Sequence, residues 1–381
     1  MTVAAPTIAD LETPALLLDE ARMEANIARL RSRLDGLGVP LRPHLKTAKS
    51  VDVARLLMSG PAGPCAVSTL NEAEHFAAAG VRDILYAVGI APAKLERVAA
   101  LRAAGVDLTV ILDSPEQAVA VADASRRHGQ SIPALIEVDS DGHRAGVVPQ
   151  DRAALVAIGR RLEEGGAKLR GVLTHAGGSY GCDTPSALEA MAEQERAAAV
   201  TAAGVLREAG LPCPVVSVGS TPTAHFARNF GGVTEVRAGV FVFFDLVMAG
   251  IGVCLPQDIA LSVLATVIGH RLDKGWILVD AGWMALSRDR GTARQRVDQG
   301  YGVVCDLAGR PYPDLIVAEA NQEHGVLSVR PGGTLPDLPI GARVRILPNH
   351  ACATAAQHAR YNLVAGTDPA VRAVWDRFGG W

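Results

Sequence analysis

The chain has 381 residues, of which 49% are hydrophobic and 20% are charged, a balance typical of a globular enzyme with a large core. A net charge of −3 and an aromatic content of 4% predict no nucleic-acid partner, because neither a basic surface nor a stacking platform is indicated. The six cysteines are scattered, the N-terminus lacks a signal-peptide pattern, and no run reaches the ~18 apolar residues of a membrane span. We therefore expect reduced thiols, a cytoplasmic location and no membrane contact.

After a loose lead-in over 1–13, a strand is predicted at 14–18, and a helix from Asp19 onward ends at Gly36 and Gly38. Eight apolar runs of strand length follow, at 41–47, 64–69, 82–88, 107–112, 133–138, 169–175, 215–220 and 235–244. Helical patterns separate most of them, at 71–79, 92–104, 115–128, 151–164 and 185–209. This alternation predicts an α/β fold with a (β/α)8 TIM barrel. A doubly wound open sheet is the rival, but no G-x-G-x-x-G follows the first strand.

From about residue 260 the pattern changes to short strands linked by Gly, Pro and Asp turns. They are predicted at 262–270, 275–281, 303–307, 315–320, 326–329 and 343–347. We read this stretch as a C-terminal antiparallel β domain, with a closing helix over 368–378. The predicted domains are 20–258 for the barrel, and 1–19 with 259–381 for the β domain.

Lys46 stands at the end of the first barrel strand, in a chain that has only five lysines. Arginine is always charged, whereas a desolvated lysine can lose its proton and act as an amine. Lys46 is therefore a candidate reactive group, although its spacing fits a solvated surface lysine equally well.

The ends of the other barrel strands are also polar, as functional strand ends in such barrels are. Arg144 follows the fifth strand, His175 ends the sixth, and the turn 219–221 follows the seventh. This Gly-Ser-Thr turn offers N–H groups and hydroxyls to a phosphate, or it is a plain helix cap. A lysine with a phosphate cradle suggests pyridoxal phosphate held as a Schiff base. A class I aldolase that uses lysine without a cofactor is a second interpretation.

His350 and Cys352 follow the last predicted strand of the β domain. In an extended segment, residues two apart point the same way, and imidazole with thiolate suits Zn²⁺ or a similar ion. Two protein ligands would leave the other positions open to water or substrate. The alternative is a turn histidine beside an inert cysteine.

These segments occur in the order of a known family. They are 42–50 (RPHLKTAKS), 141–144 (DGHR), 174–177 (THAG), 219–223 (GSTPT), 235–239 (EVRAG), 280–283 (DAGW), 321–325 (NQEHG) and 348–352 (PNHAC). Together they resemble the D-serine dehydratase/D-threonine aldolase group of fold type III, alanine-racemase-like pyridoxal phosphate enzymes. The resemblance covers nearly the whole chain. In the segments 280–285 and 287–294, the chain most strongly resembles the family members that dehydrate D-threo-3-hydroxyaspartate.

The resemblance implies that Lys46 is the Schiff-base lysine and catalytic base. It also implies that Gly219, Ser220, Thr221 and Gly239 hold the cofactor phosphate, and that Arg144 and His175 contact its ring. His350 and Cys352 would bind a divalent metal (Zn, Mg or Mn). Phe241 stands where relatives often have a tyrosine, so the phosphate would be held by other groups.

The implied activity is that of a carbon-oxygen lyase, which dehydrates D-threo-3-hydroxyaspartate to oxaloacetate and ammonia. The aldolase members resemble His-x-Asp at the metal pair and the dehydratases His-x-Cys, so this chain is expected to eliminate water. D-serine dehydration and D-threonine or 3-hydroxy-D-aspartate aldol cleavage are the alternatives, and a non-enzymatic cofactor-handling protein is a more distant one. Arg288, Arg290 and His324 are candidate substrate contacts, and a homodimer is implied.

Overall fold

The structure is a computed structural model, and it describes residues 6–381. The chain divides into two compact units. The barrel unit is Leu30–Gly239 with Gly380–Trp381, and the β unit comprises the described residues up to Arg29 with Val240–Gly379. The predicted domain limits of 20–258, and of 1–19 with 259–381, stay a prediction. Residues 1–5, which belong to the predicted lead-in and to the predicted β domain, lie outside the described residues.

The strands of the described chain are β1 (Ala15–Asp19), β2 (Leu41–Pro43), β3 (Cys65–Val67), β4 (Asp83–Gly89), β5 (Asp107–Leu112), β6 (Pro133–Val138), β7 (Lys168–Thr174), β8 (Val215–Val218), β9 (Glu235–Ala238), β10 (Leu261–Arg271), β11 (Trp276–Val279), β12 (Gly302–Cys305), β13 (Pro311–Ala320), β14 (Gly325–Val329), β15 (Arg343–Pro348), β16 (Arg360–Ala365) and β17 (Asp368–Asp376).

The α-helices are α1 (Glu20–Gly36), α2 (Val51–Leu57), α3 (Leu70–Ala78), α4 (Leu95–Ala103), α5 (Pro115–His128), α6 (Arg152–Glu164), α7 (Pro185–Glu208), α8 (Thr221–Phe226), α9 (Leu246–Gly250), α10 (Trp283–Leu286) and α11 (Ala351–Ala355). In the described part of the chain, none of the helices is both long enough and apolar enough to cross a bilayer.

The barrel unit confirms the predicted (β/α)8 architecture. Within residues 6–381, eight parallel strands are ordered β2-β9-β8-β7-β6-β5-β4-β3. A parallel bridge between His44 and Ala66 joins β2 to β3 and closes the ring. The barrel interior contains a cluster from five successive strands: Ala66, Leu85, Ile111, Leu135 and Leu173. Such strands are buried on both faces, which explains their nearly continuous apolar sequence.

Local signals set the helix limits where the prediction was accurate. For α5, predicted at 115–128 and found there, Ser114 accepts a hydrogen bond from Gln117 N–H and Pro115 occupies the first turn. At the other end Gly129 has φ +60°, the left-handed conformation that commonly ends a helix. Capping chemistry thus marks both ends of this helix in the sequence.

The β unit is a nine-stranded sheet in the order β11-β14-β13-β12-β15-β10-β1-β16-β17. Because β10 also pairs with β11, the first six of these strands close on themselves. On the other side of β10, β1 pairs antiparallel with β10 and parallel with β16. A cluster that includes Leu17, Leu264 and Val364 packs this part of the unit. The predicted antiparallel β domain is confirmed as an architecture.

The predicted closing helix over 368–378 is wrong. This segment is β17, which pairs antiparallel with β16, a strand that the sequence analysis missed. Its burial alternates, with Val371 buried and Val374 49% exposed. A period of two is the pattern of a strand with one covered face, and it decides between strand and helix here.

The predicted strand over 235–244 is also too long, since β9 ends at Ala238 and a 3₁₀ turn covers Val240–Val242. All residues from 240 to 244 are buried. A fully buried segment gives an apolar run whether it is a strand or a turn, so periodicity does not separate the two. The short helices α2 and α8 were missed for lack of an amphipathic pattern.

Candidate active site

Lys46 lies in the turn between β2 and α2, three residues beyond the end of the strand, and its side chain is exposed. Its neighbour Lys49 has φ +44° and pairs through Nζ with Glu72 Oε1 at 3.2 Å. Glu72 is fully buried, so it needs that charge. Within residues 6–381 the Lys46 amine makes no ion pair, which leaves it available for chemistry.

The side chains at the carboxyl ends of the barrel strands are close enough to influence each other. Burial, with the positive charges of Lys46, Arg237 and Arg144, lowers the pKa of His175 to about 3, although its hydrogen bond to Gly219 opposes this shift. Burial, together with Lys46 and Arg237, also holds the pKa of His44 well below its usual value. The structure therefore brings Lys46, His175 and Arg144 to one end of the barrel, as the sequence analysis expected. Their roles stay predictions.

His175 has a defined tautomer. Its Nδ1 lies 3.0 Å from the carbonyl oxygen of Gly219. A carbonyl can only accept, so Nδ1 bears the proton and Nε2 is left as an acceptor. With a depressed pKa, the ring stays neutral near neutral pH and presents Nε2 as a lone pair.

Arg144 lies on the loop after β6 and is largely exposed. Its Nη2 donates a hydrogen bond of 3.4 Å to Glu137 Oε1. Burial raises the pKa of Glu137, while the Arg144 charge opposes that rise. Most of the guanidinium therefore remains available to a ligand.

The predicted phosphate turn begins α8. Ser220 is its N-cap and accepts from Thr223 N–H at 3.2 Å, while Ser220 N–H donates to Thr223 Oγ1 at 3.0 Å. The helix-cap alternative is thus correct for the Ser220 side chain, and phosphate binding at Gly219, Ser220 and Thr221 stays a prediction. Gly219 has φ +137°, and a Cβ there would lie 2.1 Å from the Arg237 carbonyl oxygen. Only glycine fits this close approach of β8 to β9.

Gly239, at the end of β9, faces the turn that contains Lys46. A Cβ on Gly239 would lie 3.0 Å from the His44 carbonyl oxygen and 3.3 Å from Thr47 Oγ1. The glycine therefore lets the backbone after β9 approach the Lys46 turn, and its predicted contact with a phosphate stays a prediction.

Two buried charged residues of the barrel unit were not among the predicted site residues. Arg237 is 4% exposed, and it donates from Nε to Ser217 Oγ at 3.0 Å and from Nη2 to the Thr174 carbonyl. Its place at a strand end was the signal for it. Glu195 is 1% exposed and lies on α7, and nothing in that Ala- and Glu-rich helix distinguished it.

His350 and Cys352 lie in the β unit, where β15 passes into α11. His350 Nδ1 is 2.5 Å from Asp289 Oδ2, and a Cys352 hydrogen bond reaches the same imidazole. Burial alone would lower the pKa of His350, but Cys352 and the bond to Asp289 outweigh it and raise that pKa to about 11. The structure thus brings His350 and Cys352 together, and the Asp289 carboxylate is hydrogen-bonded to Nδ1 of the His350 ring.

Buried polar contacts hold this turn in place. Asp245, 1% exposed, accepts from Ala351 N–H through Oδ2 at 2.9 Å. Asn349, also 1% exposed, donates to Thr292 Oγ1 and the Gly300 carbonyl at 2.7 and 2.6 Å. Neither Asp245 nor Asp289 was predicted, because carboxylates at these distant positions give no local signal.

The candidate substrate residues differ in what they contact. Arg290 pairs with Asp298 at 2.5 Å, so its charge is already matched. The Arg288 guanidinium lies over the Trp283 ring, 4.2 Å from its centroid, and is exposed. His324 is exposed in the turn between β13 and β14. Of the two arginines, Arg288 is the better placed for an anionic ligand.

Comparison with known proteins identifies the family. A family model described as alanine racemase, N-terminal domain, matches residues 18–247. A second, described as putative serine dehydratase domain, matches residues 260–364. The chain belongs to the alanine-racemase-like family. Its barrel and its closed antiparallel sheet are the two parts of that fold.

Relatives match along the whole chain. D-threo-3-hydroxyaspartate dehydratase of Delftia sp. is 57% identical over 98% of this chain and 99% of its own length. D-threonine aldolase of Arthrobacter sp. is 30% identical over 97% of this chain and 93% of its own. The solved structure of the Delftia enzyme has a TM-score of 0.95 over 98% of this chain and 100% of that chain, at 57% identity. A cysteine-to-alanine mutant of D-threo-3-hydroxyaspartate dehydratase is described as a metal-free form.

The described residues could hold both pyridoxal phosphate and a divalent metal. Pyridoxal phosphate would need a lysine amine without an ion-pair partner and positive charge to favour an anionic ligand, and the described barrel unit has Lys46, Arg144 and Arg237. A metal would need a histidine whose other ring nitrogen is held by a carboxylate, the arrangement of His350 with Asp289. Among residues 6–381, His, Cys, Asp and Glu side chains form no cluster of three or more that could hold a metal. His350 and Cys352 would therefore leave other ligand positions free.

Proposed function

We propose that the protein is a carbon-oxygen lyase that dehydrates 3-hydroxy-D-amino acids, with D-threo-3-hydroxyaspartate as the substrate and oxaloacetate and ammonia as products. The observation that supports this most is the 57% identity to D-threo-3-hydroxyaspartate dehydratase along 98% of this chain. The pair His350-x-Cys352, rather than His-x-Asp, favours dehydration over aldol cleavage. A cytoplasmic location and a homodimer stay predictions.

Pyridoxal phosphate, when bound, would supply an electron sink for the negative charge that develops on the substrate α-carbon. Lys46 would hold it, with Gly219, Ser220, Thr221 and Gly239 at its phosphate and Arg144 and His175 at its ring. The neutral His175 would accept a hydrogen bond at Nε2, and the positive charges of Arg144 and Arg237 would favour an anionic ligand.

Lys46 would also move the proton. Its Nζ would take the α-proton from one face of the substrate, which would select the D-enantiomer. Loss of hydroxide from the β-carbon then leaves an enamine. It becomes an imine, and water hydrolyses this to the oxo acid and ammonia.

A divalent metal on His350 and Cys352 would act as a Lewis acid towards the β-hydroxyl and make it a better leaving group. Asp289 would fix the His350 ring so that Nε2 is the ligand. Because metal ligands must be deprotonated, binding would release the proton that the raised pKa of His350 retains.

The second carboxylate of 3-hydroxyaspartate requires a cation, and Arg288 is the candidate. Arg290 is matched by Asp298, whereas Arg288 is exposed and stacked on Trp283. Stacking holds a guanidinium in place while its N–H groups stay open to a carboxylate.

A product assay tests the proposal. The purified protein, with pyridoxal phosphate and Zn²⁺, Mg²⁺ or Mn²⁺, is given D-threo-3-hydroxyaspartate, and the products are identified by NMR. Oxaloacetate and ammonia are expected. Glycine and glyoxylate would mean an aldolase, and pyruvate from D-serine at a higher rate would mean a D-serine dehydratase. No reaction with any of these substrates would contradict the proposed class.

A further inference from the structure

The Glu195 carboxylate is buried inside the barrel unit, and the proposed reaction does not use it. It is 1% exposed and lies on the long helix α7. Two residues away, Glu193 forms an exposed pair with Arg196. A buried carboxylate is costly unless its hydrogen bonds are satisfied, so its contacts indicate what it does.

One oxygen of Glu195 joins two strand-end loops. Oε1 accepts from Ala176 N–H at 2.8 Å and from Gly219 N–H at 3.1 Å. Ala176 directly follows His175 after β7, and Gly219 directly follows β8. The Thr223 side chain also forms a hydrogen bond to the carboxylate, which connects Glu195 to the first turn of α8.

These contacts form a closed loop of hydrogen bonds and backbone that includes His175. Glu195 holds the N–H of Gly219, and the carbonyl of the same Gly219 accepts from His175 Nδ1 at 3.0 Å. Glu195 also holds the residue after His175. A second link between the loops is the hydrogen bond between Ser179 Oγ and Ser220 Oγ, at 2.9 Å. The imidazole is therefore fixed through both its own backbone and its hydrogen-bond partner.

We propose that Glu195 is a positioning residue for His175, which holds the ring in the tautomer that presents Nε2 as an acceptor at the cofactor site. The proposal rests on the proposed function, because that function gives the barrel site its ligand, pyridoxal phosphate. Without Glu195 the Gly219 carbonyl would turn away, and His175 would be free to change tautomer.

Three variants of Glu195 and two controls test this. Glu195→Ala removes the acceptor, Glu195→Asp keeps the charge but shortens the reach, and Glu195→Gln keeps an acceptor oxygen. Leu188→Ala, at a fully buried position of the same helix, controls for loss of stability, and Glu193→Ala controls for loss of a helix carboxylate. Pyridoxal phosphate alone is titrated into each protein at neutral pH, and its absorbance is followed.

We expect Glu195→Ala and Glu195→Asp to bind pyridoxal phosphate roughly tenfold more weakly, the change that follows from losing one buried hydrogen bond. Lys46, Arg144, Arg237 and His44 face His175 and disfavour a proton on it, so the ring should stay neutral in the variants and only its tautomer should change. Glu195→Gln should restore the wild-type affinity, and both controls should keep it. If Glu195→Ala and Glu195→Asp bind like the wild type, or if Leu188→Ala shows the same change, the proposal is wrong.

A second measurement does not need the cofactor. In ¹⁵N-histidine-labelled protein, with His175 assigned through His175→Gln, the wild-type ring should show a proton on Nδ1 only, and Glu195→Ala should show a mixture of forms. An unchanged tautomer in Glu195→Ala would overturn the proposal. A wild type that binds no pyridoxal phosphate would instead contradict the proposed function, and the NMR result would still decide the role of Glu195.

Discussion

At the scale of single residues, two lysines three positions apart have different environments. The Lys46 amine makes no ion pair within the described residues, whereas Lys49 neutralises the buried Glu72. Lys49 is occupied by its ion pair with Glu72, whereas the Lys46 amine is available to react. The distinction depends on which side chain the fold places beside Glu72.

This difference gives a paired prediction. Lys46→Ala should abolish the visible absorbance of bound pyridoxal phosphate without lowering the free energy of unfolding. Lys49→Ala should keep that absorbance and lower the free energy of unfolding by about 3 kcal/mol, because it leaves a buried carboxylate unpaired. Absorbance spectra and urea titrations measure the two effects, and a persisting band in Lys46→Ala would contradict the assignment.

His175 should make the fold sensitive to acid. Its pKa is lowered to about 3 from an ordinary value of 6.5, so below pH 6.5 the unfolded chain takes up a proton that the native ring does not. Stability from this residue is therefore complete above pH 6.5 and falls as the pH is lowered towards 3. His175→Gln should reduce the pH dependence of the unfolding free energy by up to about 1.4 kcal/mol per pH unit. Urea unfolding of both proteins at pH 7 and 5.5 tests this. An equal change in unfolding free energy between the two pH values for wild type and variant would refute it.

At the scale of elements, the turn between β15 and α11 supports a metal pair through residues that lie far away in the sequence. Asp289 contacts His350 at 2.5 Å, and Asp245 fixes the backbone of Ala351. Carboxylates that orient a ligating histidine are part of a metal site, because they set which ring nitrogen faces the ion.

Asp289→Asn should therefore weaken Zn²⁺ binding by roughly 10- to 100-fold, since an amide holds the imidazole less strongly. Asp298→Asn, in the same segment and paired with Arg290, is the matched control and should bind Zn²⁺ like the wild type. Competition with a chromophoric chelator gives both affinities. Equal affinities for the two variants would mean that Asp289 does not support the metal.

At the scale of the whole molecule, the two predicted binding sets belong to different compact units. Lys46 and its neighbours lie in the barrel unit, and His350 with Cys352 lies in the β unit. Each set is supported by hydrogen bonds within its own unit, so loss of the metal should not disrupt the lysine site.

Removal of the metal with EDTA should accordingly stop turnover while the absorbance of bound pyridoxal phosphate stays unchanged. Adding Zn²⁺, Mg²⁺ or Mn²⁺ back should restore activity, and a pyridoxal phosphate titration of the EDTA-treated protein serves as the control. Unaffected turnover after EDTA treatment would contradict the Lewis-acid role. Loss of the cofactor absorbance would show that the metal is needed for the lysine site as well.

The sequence alone was sufficient for the barrel and for the antiparallel domain, whereas the roles of Lys46, His175, His350 and Cys352 stay predictions. Alternating apolar runs, caps such as Ser114 and short polar motifs at strand ends are local signals, and a chain this long repeats them often enough to define an architecture. Family motifs in order along the chain added the expected chemistry.

Tertiary structure alone decided what each of these residues contacts. Glu195, Asp245 and Asp289 were not predicted because they form hydrogen bonds to residues 19 to 106 positions away, and such contacts leave no periodic pattern in the sequence. The segment 368–376 became a strand because β16 was there to pair with it. Long-range pairing and burial override local pattern, since a hydrogen bond or a buried charge is stabilised by the partner that the fold brings to it.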